Sequence, residues 1–152
     1  MNVHKNTVLR KDKIGIVRTI HDLDKILYSK ITKNFEFLGI SHIQGLVIIY
    51  LTTYKDKENY QIDLERAFGL SNPTMTASIK SMIQKKLLFK EKSKRDGRYY
   101  ILSLTDAGMD LYQKCYEIYN TLEIEVDNIL TFEEQETFKK IANKILFNFK
   151  AP

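Results

Sequence analysis

SNPTMTASIKSMIQKKLLFKEKSKRDGRYYILSLTDAG, residues 71–108, is the stretch that decides the fold. It opens with Ser71, a side chain suited to capping a helix, and Pro73 falls within the first turn, where its missing N–H costs nothing. Met75, Ile79, Met82 and Ile83 then recur at helical spacing, which predicts a helix to about Lys86 with that stripe buried. The opposite face carries Asn72, Thr74, Thr76, Ala77, Lys80 and Ser81, all small, polar or cationic. Two β-prone runs follow, Leu88–Ser93 and Tyr99–Leu104. Between them Lys94-Arg95-Asp96-Gly97-Arg98 supplies a glycine for the turn. Thr105 is placed to cap a return to helix.

Immediately before this stretch, Gln61–Phe68 reads as a short helix with Ile62, Leu64 and Phe68 inward, and Gly69-Leu70-Ser71 as a tight turn. A short helix, a tight turn and a helix with a small polar leading edge make the helix-turn-helix pattern, whose second helix enters a major groove. An ordinary helical hairpin has the same spacing. The basic hairpin that follows decides between them, because it gives the layout of a winged helix.

Further out the pattern is helical on both sides. Ser41–Tyr54 begins with the capping-box spacing Ser41-x-x-Gln44 and is nearly apolar all round, which predicts a central helix. Lys13–Leu38 carries Ile16, Ile20, Leu23, Leu27, Ile31, Phe35 and Leu38 at spacings of three and four, with Gly39 as its stop. Asp106–Ile129 reads as one helix with Leu111, Cys115, Ile118, Leu122, Val126 and Ile129 on one face. Thr131 and Glu134 repeat the capping-box spacing ahead of a last helix bearing Phe132, Phe138, Ile141, Ile145, Leu146 and Phe149. The expected fold is therefore mainly α with a small β-hairpin wing. A winged helix-turn-helix at 41–104 is flanked by an N-terminal dimerisation helix at 1–40 and C-terminal dimerisation helices at 105–152. The outer helices carry more apolar surface than one small core can use, which predicts a homodimer.

Composition agrees. The chain has 152 residues, 43% hydrophobic and 28% charged, globular proportions for a single domain with helical arms. One cysteine, Cys115, excludes an internal disulfide and fits a reducing, cytoplasmic setting. There is no apolar signal segment at the N-terminus and no run approaching membrane-spanning length, so no membrane partner is expected. The net charge of +5 is concentrated: Lys80–Arg98 alone carries eight basic and two acidic residues. A patch of that kind is the electrostatic footprint of a polyanion binder, although a solvated lysine face has the same composition.

With these elements in place, the sequence resembles the multiple-antibiotic-resistance regulator (MarR) family over nearly its whole length. The resemblance rests on Asp96-Gly97-Arg98 followed by Leu104-Thr105-Asp106-Ala107-Gly108, on Pro73-Thr74-Met75-Thr76 opening the recognition helix, and on the order of the elements. It implies a homodimeric transcription regulator, expected to act as a repressor on double-stranded DNA bearing a pseudo-palindromic operator. It implies that Asp96 and Arg98 pair on the wing and that Arg98 enters the minor groove. The DNA-binding set it points to is Ser71, Asn72, Thr74, Thr76, Ala77 and Lys80 on the helix, with Lys94, Arg95, Asp96 and Arg98 on the wing. A small aromatic or lipophilic effector is implied as well, with Tyr28, Tyr50 and Tyr54 as its expected lining. Three positions depart from the family pattern. Leu87 stands where glycine often takes a left-handed conformation. Gly97 replaces a common second arginine, and Ala77 stands where arginine is frequent.

Other chemistries find little support in the sequence. Cys115 lies in an apolar helical stripe, where packing is expected and not redox sensing. His4, His21 and His42 show no metal-ligand spacing, so no metal or other cofactor is expected. There is no phosphate-binding glycine loop and no nucleophile elbow, so an enzyme is not expected. A winged helix used only for protein docking remains the alternative. It would have no reason to place its excess charge on the wing.

Overall fold

A computed structural model describes residues 15–150. The helices are α1 (Ile16–Phe37), α2 (His42–Thr53), α3 (Gln61–Phe68) and α4 (Asn72–Gln84), then α5 (Asp106–Asp110), α6 (Tyr112–Asp127) and α7 (Phe132–Lys150). Strands β1 (Leu88–Lys92) and β2 (Tyr100–Leu104) form one antiparallel hairpin, with Leu88 opposite Leu104 and Lys92 opposite Tyr100. The expected fold class is the one observed. Lys13 and Ile14, at the start of the first expected helix, lie outside the described residues.

The core lies where α2, α4, the hairpin and α6 meet. Val47, Ile48 and Leu51 of α2 pack with Leu64, Met75, Ile79, Met82, Leu88, Leu102 and Cys115 in one cluster of buried side chains. Phe35, at the end of α1, is fully buried in the same cluster. Gly45 makes this possible: a β-carbon there would stand 2.2 Å from the Phe35 ring. Ser41 caps α2 as its spacing predicts, with Gln44 returning the bond to the Ser41 N–H.

α4 ends in a Schellman turn. The Leu87 N–H donates to the Met82 carbonyl at 2.9 Å and the Lys86 N–H to Ile83 at 3.0 Å. The left-handed residue is Lys86, with φ of 58°. The sequence reading expected that strain at Leu87; it falls one residue earlier, and Leu87 instead buries its side chain over the core. The turn is clamped by the next element. Thr105 donates its hydroxyl to the Lys86 carbonyl at 2.7 Å and its N–H to the Leu87 carbonyl at 3.1 Å. Gly108 lets that carbonyl approach, since a β-carbon would lie 2.2 Å from the Leu87 oxygen. The Leu-Thr-x-x-Gly motif is thus the clasp on the end of α4.

Three sequence expectations need correction. Asp106–Ile129 is not one helix. It breaks at Leu111, because α5 is held by its Thr105 cap and by Gly108 against the Lys86–Leu87 turn that follows α4, whereas α6 runs along α1 and α2. Ile62 and Ile83 are not buried, at 44% and 39% exposure: Ile62 stands about 160° round α3 from buried Leu64, and Ile83 lies at the edge of the Met75–Ile79–Met82 stripe.

The outer helices keep large apolar groups in the open. Val17 is 81% exposed, Phe132 78% and Phe149 87%, and α7 buries none of its side chains. Among the described residues, no single helix is long and apolar enough to cross a membrane.

Candidate nucleic-acid interface

α4 presents its leading edge outward. Ser71 is its N-cap, accepting from the Thr74 N–H at 3.4 Å. Asn72, Thr74, Thr76, Ala77 and Lys80 are all exposed, while Met75, Ile79 and Met82 on the opposite face are buried. Burying three such side chains contributes on the order of 5–9 kcal/mol before entropy. That burial is what fixes which face of α4 looks out.

The wing is built around one ion pair. Arg98 Nε donates to Asp96 Oδ1 at 3.0 Å, and Nη2 donates to Oδ2 at 2.6 Å. The Arg98 backbone N–H also reaches Asp96 Oδ1, at 3.1 Å. The carboxylate therefore fixes the guanidinium fork, although 83% of the Arg98 side chain remains exposed. Those bonds, side chain first and then backbone, hold the Asp96 carboxyl below its ordinary range. Lys94 and Arg95 are exposed at the same tip.

Beneath the tip lies a polar network that the sequence reading did not anticipate. Ser93 is buried and its hydroxyl accepts from the Arg95 and Asp96 N–H groups at 3.1 and 3.3 Å. Ser93 in turn donates to Glu58 at 3.2 Å, and the Tyr60 hydroxyl donates to the same carboxylate. The Glu58 bond pushes the Tyr60 phenol up. The only sequence signal is a serine at the exit of a strand, which is too common to single out. Asn59 accepts from the Leu102 N–H at 2.8 Å and so attaches the α2–α3 connection to the hairpin.

Helix and wing share one concave surface. A cleft of about 310 Å³ is lined by Gln61, Glu65 and Asn72 on one side and by Lys90, Arg98 and Tyr99 on the other. Exposed Ile62 belongs to its wall. The basic stretch does not all face this way. Lys85 lies against the α1–α2 junction, donating to the Gly39 carbonyl at 2.8 Å and to Gln44 Oε1 at 3.0 Å. Its charge belongs to the junction of α1 and α2.

The three tyrosines expected to line one effector site do not converge. Tyr28 meets His42 edge-on at 4.9 Å, at the start of α2. Tyr50 and Tyr54 stack on each other at 4.6 Å at the far end, with the Lys57 ammonium 4.7 Å from the Tyr54 ring. Eight residues of helix, about 12 Å, separate His42 from Tyr50. Cys115 is fully buried and its thiol is pushed up to about 11 by that burial, as suits a packing residue.

A helix-turn-helix with its polar edge outward, a hairpin wing with a held arginine, and a common face between them define the DNA-binding type of winged-helix transcription regulator. The chain belongs to the SarA/Rot family of transcriptional regulators, whose family model matches residues 27–115. Solved structures share the fold. The MepR–DNA complex of Staphylococcus aureus superposes with a TM-score of 0.84 at 22% identity, over 91% of this chain and all of that one. MarR from Oenococcus oeni gives 0.74 at 24% identity, over 87% of this chain and 98% of that one. The likeness to MarR read in the sequence therefore stands as a shared fold, and the family itself is SarA/Rot. Comparison with curated protein sequences gave no match. The family and the solved neighbours are transcription regulators and not enzymes.

Proposed function

We propose that this chain is a homodimeric repressor that binds a pseudo-palindromic operator, with α4 in the major groove and the wing in the minor groove. One observation carries the reading. Asn72 on the recognition helix and Arg98 on the wing line the same open cleft, and Arg98 is held by Asp96 while remaining exposed. A planar, pre-oriented guanidinium suits the concentrated negative potential of a narrow minor groove. The site comprises Ser71, Asn72, Thr74, Thr76, Ala77 and Lys80 with Lys94, Arg95, Asp96 and Arg98. The MepR–DNA complex, which has the same fold, supports double-stranded DNA as the partner.

The dimer reading rests on the open apolar faces of α1 and α7. Together with α6 these helices form the arms, 1–40 and 105–152, around the 41–104 head. A cleft of about 490 Å³, lined by Leu27, Ile31, Tyr119, Leu122, Val126 and Phe138, runs between them and offers apolar surface to a second copy. A small aromatic or lipophilic effector would release DNA only by binding the DNA-free state better than the bound one. Tyr28 and the Tyr50–Tyr54 pair are separate candidate contacts for it.

The test uses duplex DNA at several salt concentrations with wild type, Arg98→Ala and Asp96→Ala. Arg98→Ala should weaken binding by about 1–3 kcal/mol if the residue reads base edges. It should flatten the log-affinity against log-salt slope by about one if it neutralises a phosphate. Simple charge removal makes Asp96→Ala bind more tightly, whereas loss of the held fork makes it bind more weakly; weaker binding is the expected sign. Sedimentation should give a dimer, and a monomer at high micromolar concentration would refute the arm assignment.

A further inference from the structure

We propose that Gln61 and Glu65 of α3 are positioning residues that fix the hydrogen-bonding polarity of the recognition helix, so that Asn72 presents an acceptor to the exocyclic amine of a base. The inference rests on the DNA reading above and adds to it a rule for which base is read.

Glu65 Oε1 accepts from Asn72 Nδ2 at 2.8 Å and from Gln61 Nε2 at 2.9 Å. Gln61 Nε2 also donates to Thr76 Oγ1 at 2.8 Å. A carboxylate can only accept, so the Asn72 amide cannot turn over without losing its bond. Its Nδ2 is held against α3, and its Oδ1 has no hydrogen-bond partner among the described residues. Both N–H bonds of the Gln61 amide nitrogen are used. Thr76 already accepts one hydrogen bond, which leaves its O–H free to donate outward. The leading edge of α4 thus has a set polarity: acceptor at Asn72, donor at Thr76.

Electrostatics makes the arrangement informative. A carboxylate on a face that approaches phosphates opposes binding at long range. Glu65 nevertheless sits half-buried in the wall of the cleft that Arg98 and Lys90 also line. Two amide donors hold it there, and its effect is on the orientation of its neighbours. In the major groove only adenine N6 and cytosine N4 are donors, and asparagine recognises adenine through N6 and N7 when its carbonyl faces N6. The second hydrogen of Asn72 Nδ2 remains available for N7. Adenine is therefore the expected base, and cytosine the next.

The experiment is selection from a pool of random duplex DNA with wild type, Asn72→Ala, Glu65→Ala and Glu65→Gln. Wild type should select adenine, or cytosine, at one position per half-site, and Asn72→Ala should lose that preference. Glu65→Ala frees the amide to rotate and should lower discrimination at that same position by about tenfold. Positions read by neither Asn72 nor Thr76 should be unchanged, although affinity for all sequences rises with the charge removed. Glu65→Gln can turn its own N–H₂ to the Asn72 carbonyl and should move the preference toward guanine or thymine. A Glu65→Ala variant that gains affinity but keeps the wild-type preference overturns the inference. So does a wild-type preference for guanine or thymine at the Asn72 position, with DNA binding itself intact. A wild-type protein that selects no sequence overturns the DNA reading, and the inference falls with it.

Discussion

Lys86→Gly should make this protein more stable, by about 0.5–1 kcal/mol. Lys86 has φ of 58°, in the left-handed region. An L-residue there costs roughly 1–2 kcal/mol relative to the right-handed form, and glycine avoids that cost. Glycine returns part of the gain, about 0.4–1 kcal/mol, through the greater freedom of the unfolded chain. The Lys86 side chain makes no hydrogen bond or ion pair among the described residues, so little else is lost with it. For a chain of 152 residues the net corresponds to a rise in Tm of about 1–4 °C. Urea unfolding followed by far-ultraviolet circular dichroism measures it, at one fixed protein concentration because the proposed dimer would contribute to stability. Lys86→Ala removes the charge but keeps the β-carbon, and should give none of the gain. Leu87→Gly deletes a core side chain and should cost at least about 2 kcal/mol. A neutral or destabilised Lys86→Gly, or a stabilised Leu87→Gly, would refute the assignment of the turn.

Three other outcomes follow from the same structure. Gly108→Ala should destabilise by about 1–3 kcal/mol in the same assay, because its methyl meets the Leu87 carbonyl at 2.2 Å. Gly97→Arg should steepen the salt dependence of DNA binding by about one unit of slope without affecting stability. A β-carbon at Gly97 meets nothing within 4 Å, and its φ is not left-handed. Burial lowers the His42 pKa below its ordinary value, so the native state favours the neutral ring. The stability this gives is present above the unfolded-state pKa of about 6.5 and is lost as pH falls through the folded value. Tm should therefore fall between pH 7.5 and 5.5, and His42→Gln should reduce the fall.

The sequence carried the α4–wing–α5 stretch well because each element there has a local cause. Ser71, Pro73, the Met75–Ile79–Met82 spacing and Thr105 all act within a few residues of themselves. The capping boxes at Ser41 and Thr131 were legible for the same reason, and both form as their spacing predicts. What escaped depends on contacts between distant segments. Gln61 and Glu65 matter only because α3 packs beside α4. The direction of Lys85 depends on where α1 ends. The break at Leu111 follows from the start of α5 being fastened at Thr105 to Lys86 and Leu87, nineteen and eighteen residues earlier. A helical stripe running through that break looks continuous when only periodicity is read. The placement of the aromatic residues depends on such contacts too, since Tyr28, Tyr50 and Tyr54 share a chemistry and a pair of helices but not a location.

The ties at the tail of α4 also set a geometry of leverage. Lys85 holds that tail to the end of α1, and Thr105 holds it to the start of α5. The recognition helix is thus fulcrumed at the end farthest from its base-reading edge. Its 13 residues span about 20 Å. A rotation of about 10° at the fulcrum sweeps Asn72 through about 3.5 Å, close to the 3.4 Å spacing of successive bases along one DNA strand. On the proposed DNA reading, a tilt of that size would carry the reading edge out of step with the bound duplex by one base.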